Sequence, residues 1–206
     1  MKIKFKERTG EHLFEFMRLS LNDADIANRV ALYQHAVLDN GESLSLEQIL
    51  NIQNKNALLY LKICNSIFAI DEEKIIDHED RITFLFEKVL VIEKKKIDSS
   101  LLQEIQTLKA KMKKGREIDL LKNMITMFFD IDENTLLESN YIVAMGLSQQ
   151  VNNFLSETTT TRNDFDISDE LLGITASVVS EPLDLLDRAS GRTSEETAKI
   201  ATQISL

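Results

Sequence analysis

Residues 44–68 read LSLEQILNIQNKNALLYLKICNSIF, and residues 131–155 read IDENTLLESNYIVAMGLSQQVNNFL. In the first stretch Ser45, with Gln48 three positions on, has the spacing of a capping box, and Leu44 is placed to staple against Ile49. In the second, 87 positions along, Asp132 takes the place of Ser45, and Ile131 with Leu136 takes the place of the staple. Each stretch has a short polar break, at Gln53-Asn54 and at Ser139-Asn140, and each then resumes with an apolar stripe at helical spacing. At this offset Ala57 falls on Ala144, Leu58 on Met145, Cys64 on Val151, Asn65 on Asn152 and Ile67 on Phe154. Two readings stand side by side: an internal duplication, or two amphipathic helix pairs that align because both begin at a cap. Repeat architectures need three or more units to be recognised by period alone.

Both stretches predict helix, and the composition agrees. Among 206 residues there are only 6 Gly and 1 Pro, too few for the many tight turns of a sheet-rich chain. Hydrophobic residues make up 43% and charged residues 28%, enough to build a globular core without staples. The formal net charge of −10 favours solubility and repels phosphate backbones, which argues against a nucleic-acid partner. No run approaches 18 consecutive apolar residues and the start has no signal-peptide core, so a cytoplasmic protein with no membrane span is expected.

Outward from the helical stretches, residues 1–6 alternate strictly, with Ile3 and Phe5 apolar between Lys2, Lys4 and Lys6. That period of two predicts a short strand with one buried face. Thr9-Gly10-Glu11 then offers a helix start, followed by Leu13, Phe16, Met17 and Leu19 on one side. Ile26, Val30, Val37 and Leu38 suggest a second helix, ended by Asn40-Gly41. Residues 80–92, DRITFLFEKVLVI, form an apolar run that periodicity leaves open between buried helix and strand. Asp98-Ser99-Ser100 caps a helix with Leu101, Leu102, Ile105, Leu108 and Met112 inward, whose basic last turn (Lys109, Lys111, Lys113, Lys114) meets Gly115. A further helix, rich in Met and Phe, begins near Ile118. After Leu155 the polar SETTTTRNDFD, residues 156–166, predicts a linker. Residues 167–206 then hold short helical segments, one opened by Pro182 and closed by Gly191.

The reading is therefore mainly α: a multi-helix bundle with a short N-terminal β-strand or hairpin and a helical C-terminal tail. Residues 1–155 form the helical domain, which on the duplication reading holds two related units at about 9–70 and 98–155.

Chemistry finds little purchase in this chain. The histidines are His12, His35 and His78, and neither the His12/Glu15 pair nor the Asp77-His78-Glu79-Asp80 cluster has the second His or Cys that zinc spacing requires. No two glycines lie within six residues of each other, so no phosphate-cradling loop is present. Cys64 lies in an apolar helical run with no His near it, and Lys62, two positions back, falls on another face of the helix, which suits a small buried hydrophobe. No serine sits in a G-x-S-x-G elbow. The basic runs Lys94-Lys95-Lys96 and residues 109–116 lack the interleaved aromatics of a nucleic-acid or membrane surface. They read as solvated helix ends, or as a site for the chain's own acidic tail. No enzyme activity, metal or cofactor is expected.

The order of the N-terminal third, a strand and then RTGEHLFEFMRL and SLSLEQILNIQNKNALLYLKICNSIF, resembles the tail assembly chaperones of long-tailed bacteriophages. In that family a P/R-T-G-x-x-L-x-E opening precedes a helix and an L-S-x-E-E-L-x-x-L-x-x-x-D-x-x-x-L segment. Thr9, Gly10, Leu13 and Glu15 match the first part, and Leu46, Glu47, Ile49, Leu50 and Ile52 the second. Asn54 and Asn56 depart from it, standing where an acidic residue is usual, as does the length of chain beyond Phe68. The resemblance implies a non-enzymatic protein that binds and solubilises a tape measure protein during tail morphogenesis. A structural baseplate or tail component and a small regulatory protein-binding module are the alternatives. A holding chaperone needs apolar grooves for client helices and net charge for solubility. Phe14, Met17, Leu58, Leu61, Met127 and Phe128 are the residues expected to line such a groove.

Overall fold

Helix starts in this chain are set by side chains that accept the first free amides. Asp23 accepts from Asp25 and Ile26, Ser45 from Gln48, Asn56 from Leu59 and Asp132 from Thr135, at 2.9–3.2 Å. At Ser45 the box closes in both directions, since Gln48 Oε1 accepts the Ser45 amide at 2.9 Å. The computed structural model describes residues 3–111 and 115–160 and shows a predominantly helical protein with two small antiparallel sheets. In chain order the elements are β1 (Ile3–Phe5), α1 (Gly10–Ser20), α2 (Ala24–His35), β2 (Ala36–Leu38), α3 (Leu46–Lys55), α4 (Ala57–Ile67), β3 (Ile75–Asp77), β4 (Arg81–Phe84), β5 (Leu90–Glu93), α5 (Ser99–Lys111), α6 (Glu117–Phe128), α7 (Glu133–Glu138) and α8 (Tyr141–Thr160).

Helix α1 is the hub. Leu13, Phe14 and Met17 are buried on it, and it packs against α2, α6, α7 and α8. The units at 9–70 and 98–155 accordingly share one hydrophobic cluster, running from Leu13 and Ile49 through Leu121, Met124 and Ile125 to Leu136, Met145 and Leu147. The staple residues Leu44, Ile49, Ile131 and Leu136 all lie in it. Both quoted stretches form helix pairs, α3–α4 and α7–α8, but the pairs differ in length. α3 has 10 residues and α7 has 6, and the first break falls at Asn56 rather than at Gln53-Asn54. Asn56 wins because its side chain can cap α4, whereas Gln53 is engaged by Arg29 and Asp25. The 87-residue correspondence therefore holds for the caps and slips after the break.

Three other expectations need correction. The second helix stops at His35: Ala36 turns extended, and Val37 and Leu38 join β2. β2 pairs with β1 in the register Ile3↔Leu38, Lys4↔Val37 and Phe5↔Ala36. The chain then folds back on itself, Leu38 N–H donating to Glu42 O at 2.8 Å and Leu44 N–H to Ala36 O at 3.2 Å. Asn40-Gly41 is thus the turn of a small β-return and not a helix stop, with Gly41 supplying the positive φ of 84°. On α2 the buried face is Ala27, Ala31, Leu32 and His35, while Ile26 is exposed.

Residues 80–92 form no helix but two strands joined by a turn over 85–89. They supply β4 and β5 of the meander β3-β4-β5, with Ile75↔Phe84, Ile82↔Ile92 and Thr83↔Val91 in register. The alternation of Ile82 and Phe84, both fully buried, with Arg81 and Thr83 is the period that decides it. The sheet leans on α8 through Gly146, where an added Cβ would meet Phe84 Cε1 at 2.9 Å and Ile75 Cδ1 at 3.1 Å. The lysine run at 94–96 is likewise no helix end. It continues β5 alongside the exit of α6: Asp130 N–H donates to Glu93 O at 2.9 Å and Lys95 N–H to Phe128 O at 2.7 Å. Lys95 Nζ also donates to Thr126 O at 2.8 Å, placing a cation at the negative end of α6.

The Asp98 cap is as expected, its Oδ1 accepting Leu101 N–H at 2.9 Å, and α5 buries Ile105. α8 runs on to Thr160, so the first five residues of the expected linker are helical; a helix already nucleated gains a backbone bond with each residue added. The rest of the expected linker, the helical segments expected at 167–206 and residues 112–114 of the expected basic turn lie outside the described residues.

Candidate protein-docking site

The groups with chemical potential are used to hold the fold. His12 accepts the Thr9 amide at Nδ1, 3.1 Å away, so it caps α1. Its ring meets that of His35 edge-on at 4.6 Å. His35 is buried, and its pKa falls to about 4, first because burial penalises the imidazolium and then because His12, Arg8 and Lys6 add positive charge nearby. The Arg8 guanidinium lies over the rings of Tyr141 (4.5 Å) and Phe5 (5.2 Å) and donates to Ile67 O. His78 sits in the exposed turn between β3 and β4, its amide donating to Arg81 O at 2.9 Å.

Asp25 gathers α2, α3 and α4. Its carboxylate pairs with Arg29 and accepts from Gln53 Nε2 at 2.9 Å and Tyr60 Oη at 3.2 Å. Burial, with Cys64 and Asp25 beside it, raises the Tyr60 pKa. Burial likewise pushes the Cys64 thiol up to about 12, which makes it a packing residue. Among the described residues no three His, Cys, Asp or Glu side chains gather where they could hold a metal ion. No helix there is long and apolar enough to cross a membrane.

The six residues expected to line one groove are not brought together. Phe14, Met17 and Phe128 are core residues, at most 4% exposed, because the helices around α1 and α6 cover the faces they occupy. Leu61 and Met127 are half-buried against the same cluster. Only Leu58, on the first turn of α4, is open to solvent, at 49%.

What the structure offers instead lies next to Leu58. Strand β1 and helix α4 enclose a shallow cleft of about 220 Å³ lined by Ile3, Phe5, Leu59, Lys62, Ile63 and Ser66. Its position follows from local structure. The Asn56 cap starts α4 so that Leu59, Ile63 and Ser66, at i, i+4 and i+7, lie along one face, and pairing with β2 holds the Ile3/Phe5 face of β1 toward that helix. Leu59 is 40% exposed. Sequence reasoning found Leu58 but missed Leu59, Ile3 and Phe5, although the period-two signal of β1 marks Ile3 and Phe5 as a paired face.

Comparison with family models, with characterised proteins and with solved structures yields no match to this chain.

Proposed function

We propose that this is a non-enzymatic protein-binding protein whose β1–α4 cleft receives an apolar side of a partner helix. The observation that carries this reading is the pair of leucines, Leu58 and Leu59, left 49% and 40% exposed beside an apolar cleft on a helix that buries Tyr60, Ile63, Cys64 and Ile67. Exposed apolar surface next to a concavity is the physical signature of helix-in-groove recognition. Lys62 at the rim supplies a cation for an acidic flank of the partner. The net charge of −10 keeps a complex with an apolar client in solution, as a cytoplasmic holding chaperone requires.

The resemblance of the Thr9-Gly10 opening and the 44–68 stretch to tail assembly chaperones makes a tape measure protein the client to test first. The full chain, tagged and co-expressed with that protein, is purified and compared with Leu59→Asp and Ile3→Asp variants that keep the wild-type circular dichroism. Loss of the client from both variants supports the reading, and undiminished capture by both removes this cleft. Persistence of the tagged protein in finished particles would make it a structural tail component instead.

A further inference from the structure

A second cleft, of about 320 Å³, opens where the β5–α5 connection crosses the end of α6 and the middle of α8. Its walls are Phe128, Phe129, Val151, Phe154 and Ile97, with Lys94, Lys95, Asp77 and Glu79 at the rim. Asp77 holds Lys94 at 2.6 Å. Lys95 spends one ammonium proton on Thr126 O, and Lys96 beside it is exposed and forms no ion pair with a described residue. The cleft thus joins the exposed Ile97 and half-buried Phe154, over a floor of buried Phe128, Phe129 and Val151, to a rim that together with neighbouring Lys96 carries three lysines against Asp77 and Glu79.

The chain itself carries the complement close by. Residues 164–172 read DFDISDELL, placing Asp164, Asp166, Asp169 and Glu170 among Phe165, Ile167, Leu171 and Leu172, and no Lys or Arg occurs from 163 to 187. Gln150, Val151, Asn153 and Phe154 of α8 line the cleft, and α8 ends at Thr160. At a helical rise of 1.5 Å per residue, the chain leaves α8 about 9 Å beyond Phe154. Four further residues, spanning up to about 13 Å when extended, bring Asp164 back within reach. A segment tethered this closely meets the cleft at an effective concentration near the millimolar range, enough to fill a site of modest affinity.

We propose that residues 164–172 dock in this cleft in cis, Phe165 and Ile167 against the aromatic walls and the acidic side chains against Lys95 and Lys96. The segment then shields apolar surface distinct from the β1–α4 cleft, and a competing acidic, apolar partner strand would have to displace it.

Zero-length carbodiimide cross-linking of the full-length protein, read by peptide mass spectrometry on the monomer band, tests this. The Lys122–Glu133 pair, 2.7 Å apart, is the internal control. The expected result is a cross-link from Lys95 or Lys96 to a carboxylate at 164–170, independent of protein concentration. Its yield should fall about tenfold in a Phe165→Ser/Ile167→Ser double variant, as loss of one or two buried apolar side chains implies. A control cross-link without the tail cross-link overturns the proposal. So does a tail cross-link confined to a dimer band, which would mean exchange between copies, or one that the double variant leaves undiminished, which would mean charge collision without docking.

Discussion

Gly10 and Leu136 meet backbone to backbone: a Cβ at position 10 would collide with the Leu136 carbonyl oxygen. The approach is fixed by neighbouring bonds, Gly10 N–H to Ser139 O at 2.8 Å and Tyr141 N–H to Arg8 O at 3.1 Å, with Thr9 bridged to Asn140. The glycine of the Thr9-Gly10 opening therefore lets the start of α1 seat against the α7–α8 junction. Gly10→Ala has to push backbone apart, and overpacking of that kind costs about 3 kcal/mol. Urea unfolding should show a lower midpoint at unchanged slope. Gly146→Ala meets side chains only, with the half-buried Ile75 able to yield, and should cost less, about 1–2 kcal/mol. Equal costs at the two positions would refute the distinction.

Acid sensitivity should trace to His35. Its folded pKa of about 4 lies below the ordinary 6.5, so between these values the unfolded chain binds a proton that the folded protein refuses. Stability from this group is complete above pH 6.5, declines as pH falls from 6.5 toward 4 with a slope of up to about 1.4 kcal/mol per pH unit, and levels off below. Asp119 and Asp132, both held below their usual value of 3.8, act in the same sense but only at lower pH, where they lose their pairing. Denaturant midpoints measured from pH 7 to 4.5 should slope for the wild type. His35→Phe, which keeps the edge contacts to His12 and Phe68, should be flatter in that window.

Helix starts were legible because a cap is a local event: Ser45, Asp98 and Asp132 each accept an amide three residues on. What was not legible depends on partners far along the chain. Val37 continues an apolar helical pattern, and only its pairing with Lys4 turns it into strand. Asn40-Gly41 is a good helix stop and an equally good turn, and local sequence does not choose between them. Phe14 and Met17 have the spacing of a client-binding stripe, but the same spacing serves a core helix, and their burial is set by α6, α7 and α8, which begin more than a hundred residues later. The β1–α4 cleft was hidden for a related reason, since its two walls come from elements that only the β1–β2 pairing brings side by side.

Asp25 should behave as an acceptor more than as a charge. The carboxylate is 44% exposed, so its pairing with Arg29 contributes less than about 1 kcal/mol. Its bonds from Gln53 and Tyr60 join three helices, and Tyr60 is 3% exposed and needs a partner for its hydroxyl. Asp25→Asn keeps an acceptor oxygen and should cost less than about 1 kcal/mol, whereas Asp25→Ala takes the acceptor away from Gln53 Nε2 and Tyr60 Oη and should cost about 2 kcal/mol. Matching losses in urea unfolding would show that charge, not acceptance, holds α2 to α3 and α4.

Cys64 gives a direct reading of how tightly that corner is closed. The thiol is 6% exposed, hydrogen-bonded with Tyr60, and pushed up to about 12 by burial, so at pH 8 it is protonated and shielded. A disulfide reagent such as dithionitrobenzoate should therefore label the native protein only through opening of α4, at a rate proportional to reagent concentration and to the population of the open form while reagent is dilute, whereas urea-unfolded protein reacts at once. Asp25→Ala, which loosens the packing of Tyr60 over Cys64, should speed native labelling about tenfold or more, in proportion to the roughly 2 kcal/mol it removes from that corner. Immediate native labelling of the wild type would contradict the closed packing of α4 on α2 and α3. An unaccelerated Asp25→Ala variant would show that the Asp25 hub and the Cys64 pocket open independently.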